Sequence, residues 1–163
     1  MICNSTPLIT FGKLNKLELL LKSFNNLIIP KAVYNEVVEK GIKNNAPDSF
    51  LIKEIIDKKQ IIVKNLSQKW KEKSEFLEKT FQLGKVEAES IALALQEEDK
   101  FFLTDDESAR KVAKLYEIKV HGSLRVLLLS YNSKNLTEEQ IKKILNEMIS
   151  NKFRINAEII NKF

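Results

Sequence analysis

Cysteine and histidine are almost absent from this chain: Cys3 and His121 are the single examples among 163 residues. One cysteine forms no intrachain disulfide, which fits a reducing, cytoplasmic setting. One of each cannot build a Cys/His zinc site. One histidine excludes an acid–base pair of histidines. No G-x-S-x-G elbow supports a serine triad, so His121 reads as a strand-end or turn residue. Glycine and proline are scarce too, at four and three residues. That leaves little material for linkers, and residues 1–163 read as a single domain. Neither a G-x-x-x-x-G-K-[ST] loop nor a G-x-G-x-x-G run is present, which disfavours nucleotide binding of those kinds. No apolar run approaches the roughly 20 residues that cross a bilayer, so no membrane is expected among the partners. The start, Met1-Ile2-Cys3-Asn4, lacks a basic region and reads as a strand rather than a signal peptide.

What is present fits a globular protein: 44% of residues are hydrophobic. The net charge of +5 and a pI near 9.2 suit a polyanion such as RNA or DNA, although lysine-rich chains are also basic for solubility alone. Short apolar runs at Met1–Asn4, Leu27–Ile29, Ile61–Val63, Phe101–Thr104 and Ile118–Val120 read as strands. Helical stretches separate them: Leu8–Leu14 and Leu17–Phe24 with a break near Asn15, Lys31–Lys40 with Gly41 as C-cap, and Phe50–Asp57 after a loop at 44–48. Further helices are expected at Trp70–Thr80, Glu87–Gln96, Ser108–Tyr116, Leu124–Ser130 and Thr137–Asn151, with a short one from Asn156. Ser5-Thr6-Pro7 reads as a hydroxyl-capped helix start and Thr137-Glu138-Glu139-Gln140 as a capping box. Strands without polar alternation, alternating with helices, predict an α/β sandwich of three layers around a mainly parallel sheet of four to five strands.

In such sheets ligands bind beyond the carboxyl ends of the strands. Asn4-Ser5-Thr6 follows the first strand and Thr104-Asp105-Asp106-Glu107 the fourth. Glu36 lies on the helix after the second strand, and Glu87 and Glu89 open a long apolar helix. Phosphodiester hydrolysis needs an activated water and a stabilised negative charge, both of which a divalent ion supplies. Mg²⁺ or Mn²⁺ takes hard oxygen ligands, and convergent carboxylates repel one another until a cation or proton joins them. Each residue also has a plainer role. Glu87 and Glu89 are about 200° apart on a helix and cannot share a face, so one can be a first-turn acid favoured by the helix dipole. Glu36 can be an ordinary surface acid, Asp105 or Asp106 an N-cap, and Asn4 a cap or turn residue.

Six segments, in order, resemble a known family. Asn4-Ser5-Thr6-Pro7-Leu8-Ile9 resembles the D/N-[ST]-[ST]-P-L-I opening of a PIN-domain branch akin to the toxin VapC. Leu27 to Val37 (LIIPKAVYNEV), Leu83 to Ala94 (LGKVEAESIALA), Leu103 to Arg110 (LTDDESAR), Gly122-Ser123-Leu124 and Phe153-Arg154-Ile155 resemble its later motifs. The resemblance implies a PIN-like fold and a metal-dependent ribonuclease. Its implied metal positions are Asn4, Glu36, one or both of Glu87 and Glu89, and Asp105 or Asp106, with Glu89 among those expected to act catalytically. Ser5, Thr6 and Thr104 would support these ligands, and Lys85 and Arg110 would meet RNA. Such proteins are frequently toxins held by a small antitoxin, and they often form homodimers. Two departures stand out: Val86 replaces a common glycine, and Asn4 removes one negative charge from the expected metal cluster.

Overall fold

The computed structural model describes residues 1–153. Five short parallel strands form one sheet in the order β3-β2-β1-β4-β5. They are β1 (Ile2–Cys3), β2 (Leu27–Pro30), β3 (Ile61–Lys64), β4 (Phe101–Leu103) and β5 (Lys119–His121). The chain winds outward from β1 to β3, then returns to β1's other side for β4 and β5. The strand order therefore reverses beside β1, and the crevice between the ends of β1 and β4 is the switch point at which open α/β sheets bind ligands.

Both faces of this sheet are covered, which explains the unbroken apolar strands. Cys3, Leu27, Ile29, Ile61 and Leu103 point to one face. There they meet α1 (Ser5–Lys13), α2 (Leu17–Ser23), α3 (Lys31–Tyr34), α5 (Pro47–Asp57), α9 (Ser123–Asn132) and α10 (Glu138–Ser150). Ile2 and Phe102 point the other way, onto α6 (Gln68–Phe81), α7 (Lys85–Gln96) and α8 (Glu107–Leu115). Neighbouring strand residues thus feed opposite cores, as a period of two requires. Each fully buried side chain, such as Ile2 or Leu103, contributes about 1.5–3 kcal/mol relative to exposure. The result is the three-layer α/β/α sandwich expected from the strand pattern.

The local differences from expectation have physical causes. Helix α1 starts at Ser5, so Asn4 and not a hydroxyl holds the cap position. Asn15, at φ 53, ends the segment after α1 as the expected break. Gly41 is not a C-cap: α3 continues through a π-helical stretch, Asn35–Lys40, into α4 (Gly41–Lys43). Glycine is needed there for close approach, because a Cβ would stand 1.7 Å from Ser49 Oγ. The turn comes instead at Asn45, with φ 54, and α5 begins at Pro47, inside the expected loop. The capping box is formed, with Thr137 and Gln140 each accepting from the other's backbone N–H. The helix expected from Asn156 lies outside the described residues.

Candidate active site

Asn4 is the first residue past β1 and is fully buried. Its backbone N–H extends the sheet by donating to Leu103 O at 2.9 Å. A side chain at a cap position normally accepts from its own helix, but that of Asn4 makes no such bond. Instead Asn4 Nδ2 donates to Glu87 Oε1 at 3.2 Å and to Thr104 Oγ1 at 3.1 Å. Ser90 Oγ, one turn along α7 from Glu87, donates to Val86 O and lies 3.4 Å from Asn4 Oδ1. Residues from β1, β4 and α7 therefore meet at the switch point.

Thr104 follows β4 and is also fully buried. Its hydroxyl oxygen accepts from Asn4 Nδ2 and from Asp106 N, the latter at 3.1 Å. Its backbone carbonyl accepts from Arg110 Nη1 at 3.0 Å. Arg110 is thus anchored to the loop after β4 and is half-buried.

The adjacent aspartates are turned to different tasks. Asp106 is the N-cap of α8, its Oδ1 accepting from Ala109 N at 2.7 Å. Asp105 accepts from Ser123 N at 2.7 Å and Ser123 Oγ at 2.5 Å, tying β4 to the start of α9. Gly122 makes room for it, since a Cβ there would stand 2.9 Å from Asp105 Oδ1. Burial pushes the Asp105 carboxyl above the usual range, against the opposing pull of the Ser123 hydrogen bonds and Arg110. Burial also pushes the Cys3 thiol up, with Asp105 adding to it, so Cys3 is an inert core residue.

Glu87 and Glu89 leave α7 in different directions. Glu87 faces Asn4, whereas Glu89 Oε2 accepts from Ala32 N at 3.2 Å, at the start of α3. Lys85 Nζ stands 3.9 Å from Glu89 Oε1. Glu36 is partly exposed in the π-helical stretch, about one turn beyond Ala32. Ser5 is buried and Thr6 exposed at the start of α1. His121 ends β5 and is stacked between Phe24 and Phe101, at ring distances of 6.5 and 5.8 Å. Burial, then the positive charges of Arg125, Arg110 and Lys119, hold its pKa below the usual value.

The polar group lies at the β1/β4 crevice, and the family is decided by comparison: the DUF3368 family model, described as a PIN domain, matches residues 1–163. The chain belongs to this PIN-domain family. No curated protein and no solved structure matches it. PIN domains have a nuclease fold, imply nucleic-acid binding and generally work with divalent metals. No helix among the described residues is long and apolar enough to cross a membrane.

Among the described residues, no three His, Cys, Asp or Glu side chains are grouped so that they could hold a metal ion. Oxygens do meet in the crevice, around a polarised amide. Two oxygens, from Glu87 and Thr104, converge on a single positively polarised group, Asn4 Nδ2. Mg²⁺ commonly takes only one or two carboxylates, with waters and substrate phosphate completing its shell. Glu87 is the carboxylate that faces Asn4, while Asp106 caps α8 and the Asn4 carbonyl faces Ser90. Ser90 and Ser123 are not among the site residues expected from the sequence. Ser90 lies three residues after Glu87, a spacing that puts both on one helix face; Ser123 belongs to the Gly122-Ser123-Leu124 segment, but nothing local ties it to Asp105.

Proposed function

We propose that this protein is a metal-dependent endoribonuclease that hydrolyses RNA phosphodiester bonds at the β1/β4 crevice, acting as one PIN domain over residues 1–163. The supporting observation is the side chain of Asn4, which forgoes capping α1 to join Glu87 and Thr104. A bound Mg²⁺ or Mn²⁺ would lower the pKa of water and offset charge on the phosphate. Glu87 and Asp106 would hold the ion, with Asn4 beside them and Glu36 as a further carboxylate; Glu89 and Asp105, bound to Ala32 N and to Ser123, would join only on leaving those partners. Thr104 fixes the Asn4 amide and the Asp106 backbone, so it positions both. Arg110 and Lys85 would meet the RNA backbone, making affinity fall with salt. The net charge of +5 favours the same polyanion. The resemblance of its motifs to a VapC-like branch supports a role as the toxin of a toxin–antitoxin pair, with a small antitoxin and a homodimer in the cytoplasm.

The test is cleavage of a mixed RNA pool by pure protein with Mn²⁺, Mg²⁺ or EDTA, beside an Asp105→Asn/Asp106→Asn variant. Metal-dependent cutting that disappears in the variant is expected. Cutting that survives in EDTA, or in the variant, would refute this reading.

A second reading has an observation of its own. The Asn4 N–H already satisfies Glu87, a task a cation would otherwise perform. On this reading the protein is a catalytically weak or inactive scaffold that binds nucleic acid or a protein partner. Salt-sensitive RNA binding without cleavage, and cleavage gained on Asn4→Asp, would favour it.

A further inference from the structure

A cleft of about 640 Å³ lies across α7 from the crevice, between α3, the end of β3, α6 and α7. Helix α7 is the shared wall: Glu87 leaves it toward Asn4, and Glu89 leaves it toward the cleft. Three lysines and three glutamates line the cleft, so its charge is balanced. That balance disfavours a free, multiply charged phosphate, and the polar lining disfavours an apolar ligand. Between the charges stand Asn35 and Asn65, both exposed. Their side-chain amides have no hydrogen-bond partner among the described residues, although Asn65's backbone carbonyl accepts from Gln96. Leu66, buried, gives the floor an apolar surface.

We propose that this cleft receives one unstacked base of an RNA strand whose backbone passes the β1/β4 crevice, and that Asn35 and Asn65 read its edge. The inference rests on the ribonuclease reading for the path of the strand. A base is uncharged at neutral pH and carries donors and acceptors along one edge. A side-chain amide offers both kinds of group and matches such an edge. Sequence-specific RNA recognition works largely this way, on bases splayed out of single strands. Leu66 supplies an apolar surface for the ring. Lys71 has no ion-pair partner among the described residues, and Lys85 has only the distant Glu89, so both can meet the flanking phosphates. The cleft is the feature that chooses where the strand is cut, while the crevice does the cutting.

The test is binding of short labelled homopolymers of A, C, G and U, in EDTA, by the full chain and by an Asn35→Ala/Asn65→Ala variant. Both positions are exposed, so the variant should keep the wild-type melting curve. The wild type should favour one base by about tenfold, the usual worth of a good amide–base pair, and the variant should bind all four nearly equally. No base preference in the wild type, or a preference that survives in the variant, would overturn the inference. Cleavage of the mixed pool with Mn²⁺ separates it from the reading beneath it. Base preference without cleavage would sink the nuclease and keep the cleft; cleavage without base preference would do the reverse.

Discussion

The two sides of α7 carry glutamates only two residues apart, yet they serve different surroundings. On one side Glu87 accepts from a buried amide, within a net of hydrogen bonds joining β1, β4 and α7. On the other, Glu89 faces an open cleft and holds the first turn of α3 through Ala32 N. The crevice is buried and ordered by its own side chains, while the cleft is wide and rimmed by mobile-length lysines and free amides. One helix thus separates the proposed site of cleavage from the proposed site of base selection. The residue doing each job is set by the 200° between successive odd positions of a helix.

The comparison can be broken most directly at the glutamates. Glu87→Gln should lower metal-dependent RNA cleavage by roughly a hundredfold or more, because altering even a group that only supports a metal ligand costs about 10–100-fold. Glu89→Gln should cost much less activity and register mainly as a lower melting temperature. Equal losses of cleavage in the two variants would erase the distinction between the sides.

The hydroxyl of Thr104 is the next lever. Thr104→Val keeps the shape but leaves Asn4 Nδ2 short of one acceptor and Asp106 N without any. A loss of about 1–3 kcal/mol in denaturant unfolding is expected from such unsatisfied buried donors. An unchanged midpoint would mean that water reaches this part of the crevice.

Asn4→Asp sharpens the picture from the opposite direction. Two carboxylates would then face each other where Asn4 now donates to Glu87 at 3.2 Å, and like charges demand a cation or a proton. The variant should melt lower than wild type in EDTA and regain stability on adding Mn²⁺, with about tenfold tighter metal binding worth ~1.4 kcal/mol. Identical Mn²⁺ titrations of the two proteins would remove Asn4 from the ion's surroundings. In stability the smallest effect is expected at Asp106, where Asp106→Ala loses the cap of α8 and about 1 kcal/mol, read in thermal unfolding, while cleavage should fall with the loss of a proposed ion-holding carboxylate.

Much of the architecture is legible residue by residue. Leu27-Ile28-Ile29 and Phe101-Phe102-Leu103 read as strands because they are apolar without alternation, and they lack alternation because both sheet faces are covered. The capping box at Thr137 is a local pattern, and it forms locally. Gly41 misled for the opposite reason. A glycine after a helix usually marks its end, but this one is kept small by Ser49 of the next helix, a contact no helix-ending rule can see. Asn4 reads as a cap or turn residue or a weak ligand; it does hold the cap position, but the side-chain partner Glu87 lies 83 positions away.

The amino-acid sequence by itself determined the order of strands and helices, the covered parallel sheet, the family, and the polar residues at strand ends. These follow from periodicity and local chemistry, which act over a few residues. Only the tertiary structure decided which of those polar residues meet. The strand order places β4 beside β1 and so brings Thr104 to Asn4; the turn of α7 sends Glu87 to them and Glu89 away. Two neighbouring aspartates, indistinguishable by type and spacing, part company because one finds the open end of α8 and the other the backbone of Ser123. A hydrogen bond needs its partners within about 3 Å, and for residues far apart in the chain that distance is set by packing alone.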